Sequence, residues 1–181
     1  MSSDHAAVHA RNDLPGQSAD ALFIEVYHRL KAMASRQRGR AVGATLDTTA
    51  LVHELYLRLN NTGELSFSSQ EQFFDYASQA MRHILLDHAR DRASLKRGGE
   101  IVLETDSAAR QLADETAQHT IELDDALRRL EREDPRAARL VVLHYFGGLS
   151  LLEIANITGM ATRTLNRDWR FARAFLYRLL R

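Results

Sequence analysis

Thr162, Arg163, Thr164, Asn166, Arg167 and Arg170 fall close together near the C-terminal end of the sequence. Arginine presents a planar fork that matches guanine, asparagine can pair with adenine, and further arginines neutralise phosphates. The chemistry of such a group is recognition of a polyanion. A second group, Arg82, His83, Asp87, His88, Arg90 and Arg92, lies in the first half of the chain. His83 and Asp87 stand four residues apart, which would put two metal ligands on one helical face, but a third ligand in register is missing. Histidines beside arginines more often face phosphate or solvent, so we expect no metal and no cofactor. A third group, Asp47, Thr48 and Thr49, with His53 and Glu54 one turn on, opens the stretch "LDTTALVHELYLRL". The start of a helix carries partial positive charge and favours acids, yet here one aspartate is followed by two threonines.

The elements that must position these groups are helical. Leu51, Val52, Leu55 and Leu59 return along one face, as do Leu22, Val26, Leu30 and Met33 before them. Phe73, Ala77, Ala80, Ile84 and His88 form a third stripe, from about Gln70 to Arg92. Their spacing makes Phe73, Phe74 and Tyr76 core residues rather than stacking platforms. The polar segment "NNTGELSFSSQ" reads as a surface loop carrying Leu65 and Phe67. After "KRGGE" the pattern lapses into a weakly periodic stretch, read as a linker. Periodicity resumes with Ile121, Leu123, Leu127 and Leu130, breaks at Pro135, and returns with Leu140, Val141, Leu143 and Tyr145. Ser150 and Glu153 have capping-box spacing. Ile154, Ala155, Gly159, Leu165 and Trp169 then have the spacing of a helix-turn-helix, with Ala155 allowing a close crossing and Gly159 the turn. Ala161 stands where a capping serine is expected, which leaves Thr162 to cap. A plain helical bundle with an arginine-rich surface is the competing reading of this stretch.

The expected architecture is all-α, with two small helical domains joined by a flexible acidic linker and a C-terminal helix-turn-helix. The boundaries are a disordered leader at 1–19, a first domain at 20–97, the linker at 98–119 and a second domain at 120–181. The chain has 181 residues, a formal net charge of +0 and no cysteine, which excludes disulfides and thiolate chemistry and fits a reducing, cytoplasmic setting. Its first residues lack the apolar run of a signal peptide or membrane anchor. Neutrality conceals a division. Eleven acids oppose four arginines between Glu100 and Asp134, whereas Arg163, Arg167, Arg170, Arg173, Arg178 and Arg181 oppose Asp168 alone at the end. Arg82, Arg90, Arg92, Lys96 and Arg97 form another basic cluster, so two contacts with a polyanion are expected.

Three stretches together resemble one family. "ALVHELYLRL", "MRHILLDHARDR" and "PRAARLVVLHYFGGLSLLEIANITGMATRTLNRDW" are similar to the LVQE-type helix, the ARN-x-x-x-D-x-x-R helix and the whole of domain four in bacterial RNA polymerase sigma factors of the sigma-70 family, extracytoplasmic-function (ECF) class. The resemblance spans about residues 20 to 180 and implies core RNA polymerase and promoter DNA as partners. By the same resemblance, domain two holds the polymerase clamp and melts the −10 element, using Arg82, His83, Asp87, His88, Arg90 and Arg92. His83 departs from the asparagine common there. The Thr62 to Gln70 loop would cradle an extruded base, the linker would run near the RNA exit path, and domain four would read the −35 element with Thr162, Arg163, Thr164, Asn166, Arg167 and Arg170. Asp47, Thr48, Thr49, His53 and Glu54 would meet the clamp. The family usually carries several acids there, so phosphorylation of Thr48 or Thr49 by a Ser/Thr kinase could supply the missing charge; the alternative is that one threonine is only a helix cap. Regulation by an anti-sigma factor is open but nothing in the sequence indicates it, and no membrane contact is expected. The other classes are an enzyme, for which no phosphate loop or nucleophile elbow is found, and a helix-turn-helix regulator that does not bind core polymerase.

Overall fold

The computed structural model describes Tyr27, Lys31 and residues 48–61, 67–98 and 107–180. Among these residues the protein is all helical, with no strand. Helix α1 spans Thr48–Asn61, α2 Gln70–Gly98, α3 Ser107–Glu133, α4 Pro135–Tyr145, α5 Leu151–Thr158 and α6 Thr162–Leu179. The leader 1–19, the stripe Leu22, Val26, Leu30 and Met33, and most of the Thr62 to Gln70 loop lie outside the described residues. No described helix is long and apolar enough to cross a membrane.

Local chemistry accounts for each boundary. At the start of α2 the Ser68 amide and hydroxyl donate to Gln72 Oε1 at 3.2 and 2.8 Å, while the Gln72 amide donates to Ser69 Oγ. These exchanges satisfy groups that a first helical turn leaves open. Phe67 is buried and meets Phe73 edge-on at 5.1 Å, so this loop phenylalanine belongs to the core. Asp134 caps α4 by accepting from the Ala137 amide at 2.9 Å, and Pro135 follows in the first turn, where its missing N–H costs nothing. Ser150 and Glu153 form the reciprocal capping box, and Gly159 ends α5 in the left-handed region at φ 68°. The N-cap of α6 is Ala161, which makes no side-chain hydrogen bond; Thr162 is already helical and does not cap. The expected capping by Thr162 is therefore corrected.

The largest difference from expectation is the stretch read as a flexible linker. Residues 107–119 are helical and continue without a break into the helix begun by the Ile121 stripe. Alanine and glutamine are good helix formers, and Gln111 with Glu115 and Gln118 with Glu122 are joined at i,i+4. Ala113 and Ala117 are buried, so this stretch contributes to the core despite its low hydrophobicity.

Burial follows most of the anticipated stripes. Leu51, Val52 and Leu55 of α1 pack on Phe73, Phe74, Ala77, Ala80 and Ile84 of α2, and Tyr76 lies partly buried against the same cluster. Leu127, Leu130, Leu140, Val141 and Leu143 continue that cluster, as do Ile154, Leu165, Ala172 and Leu176. One apolar core therefore runs from α1 to α6, with α2 packed against both α3 and α4.

Candidate nucleic-acid interface

Helix α6 is two-sided. Leu165, Asp168, Ala172 and Leu176 are buried, and Trp169 packs against His144 at 4.6 Å between ring centroids. Arg163, Arg167 and Arg170 recur at four- and three-residue intervals and are exposed, with Thr162 and Asn166 also exposed and Thr164 half-buried. The Asn166 amide nitrogen donates to the Thr162 carbonyl at 2.9 Å, which uses one of the two donors of this exposed amide. Arg167 lies 3.5 Å from Asp168 but keeps 72% of its side chain exposed, which leaves the guanidinium available to a ligand.

What fixes the orientation of this face is a contact that sequence reading missed. Asp168 is buried and accepts two hydrogen bonds from Arg136 of α4, at 2.7 and 3.1 Å. The hydrogen bonds that the Asp168 carboxylate accepts from Arg136, together with its charge, raise the Arg136 pKa above its ordinary value. This fork clamps α6 to α4, and with Trp169 on His144 it sets which side of α6 faces outward. The only sequence signal was one acid in an otherwise basic helix.

The first-half group is arranged differently. His88 Nε2 lies 2.9 Å from Glu54 and Asp87 accepts from Arg58 at 3.1 Å, so both side chains tie α2 to α1. The same Glu54 takes a second contact from Arg58 at 3.3 Å. His83 is turned to solvent while Asp87 and His88 are drawn to these partners, so the pair weighed as metal ligands is divided. Arg90 and His53 are exposed. Arg82, expected among the DNA-facing residues, is 5% exposed and pairs with Asp124 at 2.7 Å and with Glu131, both on α3. Arg92 donates to Asp114 of α3 at 2.8 Å. Beside it a cleft of about 610 Å³ opens between Arg90 and Arg92 on α2 and Asp114, Gln118 and His119 on α3.

Electrostatics supports this pairing. Burial alone would push the Asp124 carboxyl up, but hydrogen bonds from Arg128 and Arg82, with their charges, outweigh it and hold its pKa below the ordinary value. Arg139 of α4 reaches Asp75 and Glu71 of α2, each at 2.6 Å, and these carboxylates hold its guanidinium pKa above its usual range. Asp47 lies outside the described residues. Thr48 is the first residue of α1, and the first turn contains no acid.

The fold and this face thus define a helical protein whose C-terminal helix turns arginines outward. The family model described as ECF sigma factor matches residues 13–181. The chain belongs to the ECF sigma factor family, whose members act in transcription initiation with core RNA polymerase and promoter DNA as partners. This is not an enzyme family. No curated protein and no solved structure matches the chain.

Proposed function

We propose that the chain binds core RNA polymerase and directs promoter-specific initiation, with α1 docking on the polymerase, α2 meeting the opened −10 element and α6 reading the −35 element. The observation that carries this reading is the division of α6 into a packed face and an exposed arginine face. Arginine and asparagine on that face suit base edges and phosphates in a major groove. In this reading residues 20–97 form the polymerase and −10 unit and 120–181 the −35 unit, with the helical residues 107–119 of α3 lying between them.

The same proposal extends to regulation at α1. Thr48 and Thr49 lie in a first turn that carries no acid. Phosphorylation of either by a Ser/Thr kinase would add about −1.5 to −2 charges at pH 7, favoured by the helix N-terminus and able to accept from arginine on a basic docking surface. The test is affinity for purified core polymerase, measured for the unmodified chain and for Thr48→Glu and Thr49→Glu. Tighter binding by one acidic variant, and loss of kinase-dependent activation in the matching Thr→Ala variant, is the expected result. Equal binding by modified and unmodified chains removes the switch. No binding by any form removes the polymerase role and favours a helix-turn-helix regulator.

A further inference from the structure

His83, Asp87, Arg90 and Ser94 return along α2 at intervals of four, three and four residues and are all exposed, so they form one outward stripe. Of the α2 arginines expected to meet DNA, Arg82 and Arg92 are engaged by carboxylates of α3, which leaves Arg90 as the exposed one. Ser94 stands one helical turn beyond Arg90, at the i,i+4 spacing at which side chains on a helix meet.

The residues around Ser94 carry a second pattern. In "RDRASL" arginines precede the serine by four and by two positions, and Leu95, 50% exposed, follows it. No other serine or threonine of the chain has arginine at both of those positions. Kinases choose substrates by charge pattern, and cations upstream of a hydroxyl with an apolar residue after it suit an acidic substrate groove. The backbone there is also the part of α2 that opens most readily. The helix ends at Gly98, so Ser94 lies near its last turn, where the final carbonyls have no partner within the helix and local opening costs least.

We propose that Ser94 is a phosphorylation site for an arginine-directed Ser/Thr kinase, and that its phosphate takes Arg90 away from DNA. The γ-phosphoryl group of ATP passes to Ser94 Oγ: an O–P bond forms as the bond to ADP breaks, and the hydroxyl proton passes to the kinase's base. The product carries about −1.5 to −2 charges at pH 7, more than the single charge of Arg90, and offers three acceptors to its guanidinium. The dipole of α2 opposes a negative group near its C-terminal end, so the gain must come from Arg90. The stripe then changes sign, and a nucleic-acid backbone approaching Arg90 meets a phosphate. This effect is opposite to the one proposed for Thr48 and Thr49, where added charge aids docking. The loss of DNA binding rests on the proposed −10 role of α2, whereas the modification itself does not.

The full chain is incubated with ATP, magnesium and a purified arginine-directed Ser/Thr kinase, and phosphate is mapped by mass spectrometry. Ser94 should be modified faster than any other serine or threonine, and Ser94→Ala should remove that signal. Faster modification elsewhere in the chain overturns the site. The modified chain, Ser94→Asp, Arg90→Ala and the double variant are then compared with the parent in binding a labelled single strand of about 16 nucleotides of mixed sequence. Circular dichroism checks that each is folded, and the enzymatically modified chain decides the question if Ser94→Asp is not. Roughly tenfold weaker binding is expected after modification, with a similar loss in Arg90→Ala. Ser94→Asp should cost less in the Arg90→Ala background than in the parent, because the arginine it captures is gone. Equal cost in both backgrounds overturns the capture of Arg90. Modification that leaves binding unchanged while Arg90→Ala weakens it overturns the proposed effect. If neither changes binding, the effect is overturned through failure of the −10 role rather than of the site.

Discussion

The arginines at the seam where α2 meets α3 and α4, and those of α6, share a residue type and differ in everything around it. Arg82 is 5% exposed with two carboxylate partners, whereas Arg167 is 72% exposed with one loose neighbour. A desolvated guanidinium must keep its partners, because a lone buried charge is costly. An exposed one can exchange water for phosphate or a base edge at little cost. Charge counting along the sequence cannot separate these cases, since both groups simply read as basic clusters. The partner's place in the fold decides which arginines are already engaged within the chain and which stand open to solvent.

Breaking the seam should give the largest change. Arg82→Ala leaves Asp124 buried with only Arg128 and frees Glu131, and it should cost about 3 kcal/mol of stability in denaturant unfolding, the usual scale for removing one partner of a buried pair. A cost near zero would place Arg82 with the exposed arginines instead. Gly147→Ala tests the same seam by packing, and the forced shift against Ser78 and the Leu143 carbonyl should cost about 1 to 3 kcal/mol. Ser78→Gly should recover part of that loss, which measures how much of the clash lies across the seam. The smallest effect is on the other side of the comparison. Ala161→Ser supplies the cap that α6 lacks and should raise the melting temperature by the equivalent of about 0.5 to 1 kcal/mol, without changing which arginines face outward.

Much of the fold could be read from the chain because it is written in local signals. The stripes of α1 and α2, the capping box at Ser150, the break at Pro135 and the turn at Gly159 each depend on residues within a few positions of one another. The first half of α3 was misread because its inward positions are alanines, Ala113 and Ala117, which weigh little in a hydrophobic pattern but pack closely. The seam was invisible for a different reason. Glu71, Asp75, Ser78 and Arg82 look like a solvated face, and the ion-pair partners of the three charged ones lie 42 to 68 residues away in sequence. The outward set on α6 was legible, since Leu165 and Trp169 fixed the inward side; the Arg136 fork that holds it in place was not.

The proposed sigma role is tested most directly by run-off transcription with core polymerase and genomic promoter fragments, comparing the parent chain with Arg163→Ala/Arg167→Ala/Arg170→Ala and with Arg139→Ala. Each α6 arginine that contacts a base should contribute about 1 to 3 kcal/mol to promoter binding. Promoter-specific transcripts are expected from the parent, with their loss in the α6 triple variant at unchanged core affinity, and transcripts at least equal to the parent's from Arg139→Ala. No transcript from any form, or an equal loss from the seam variant and the α6 variant, would contradict that role.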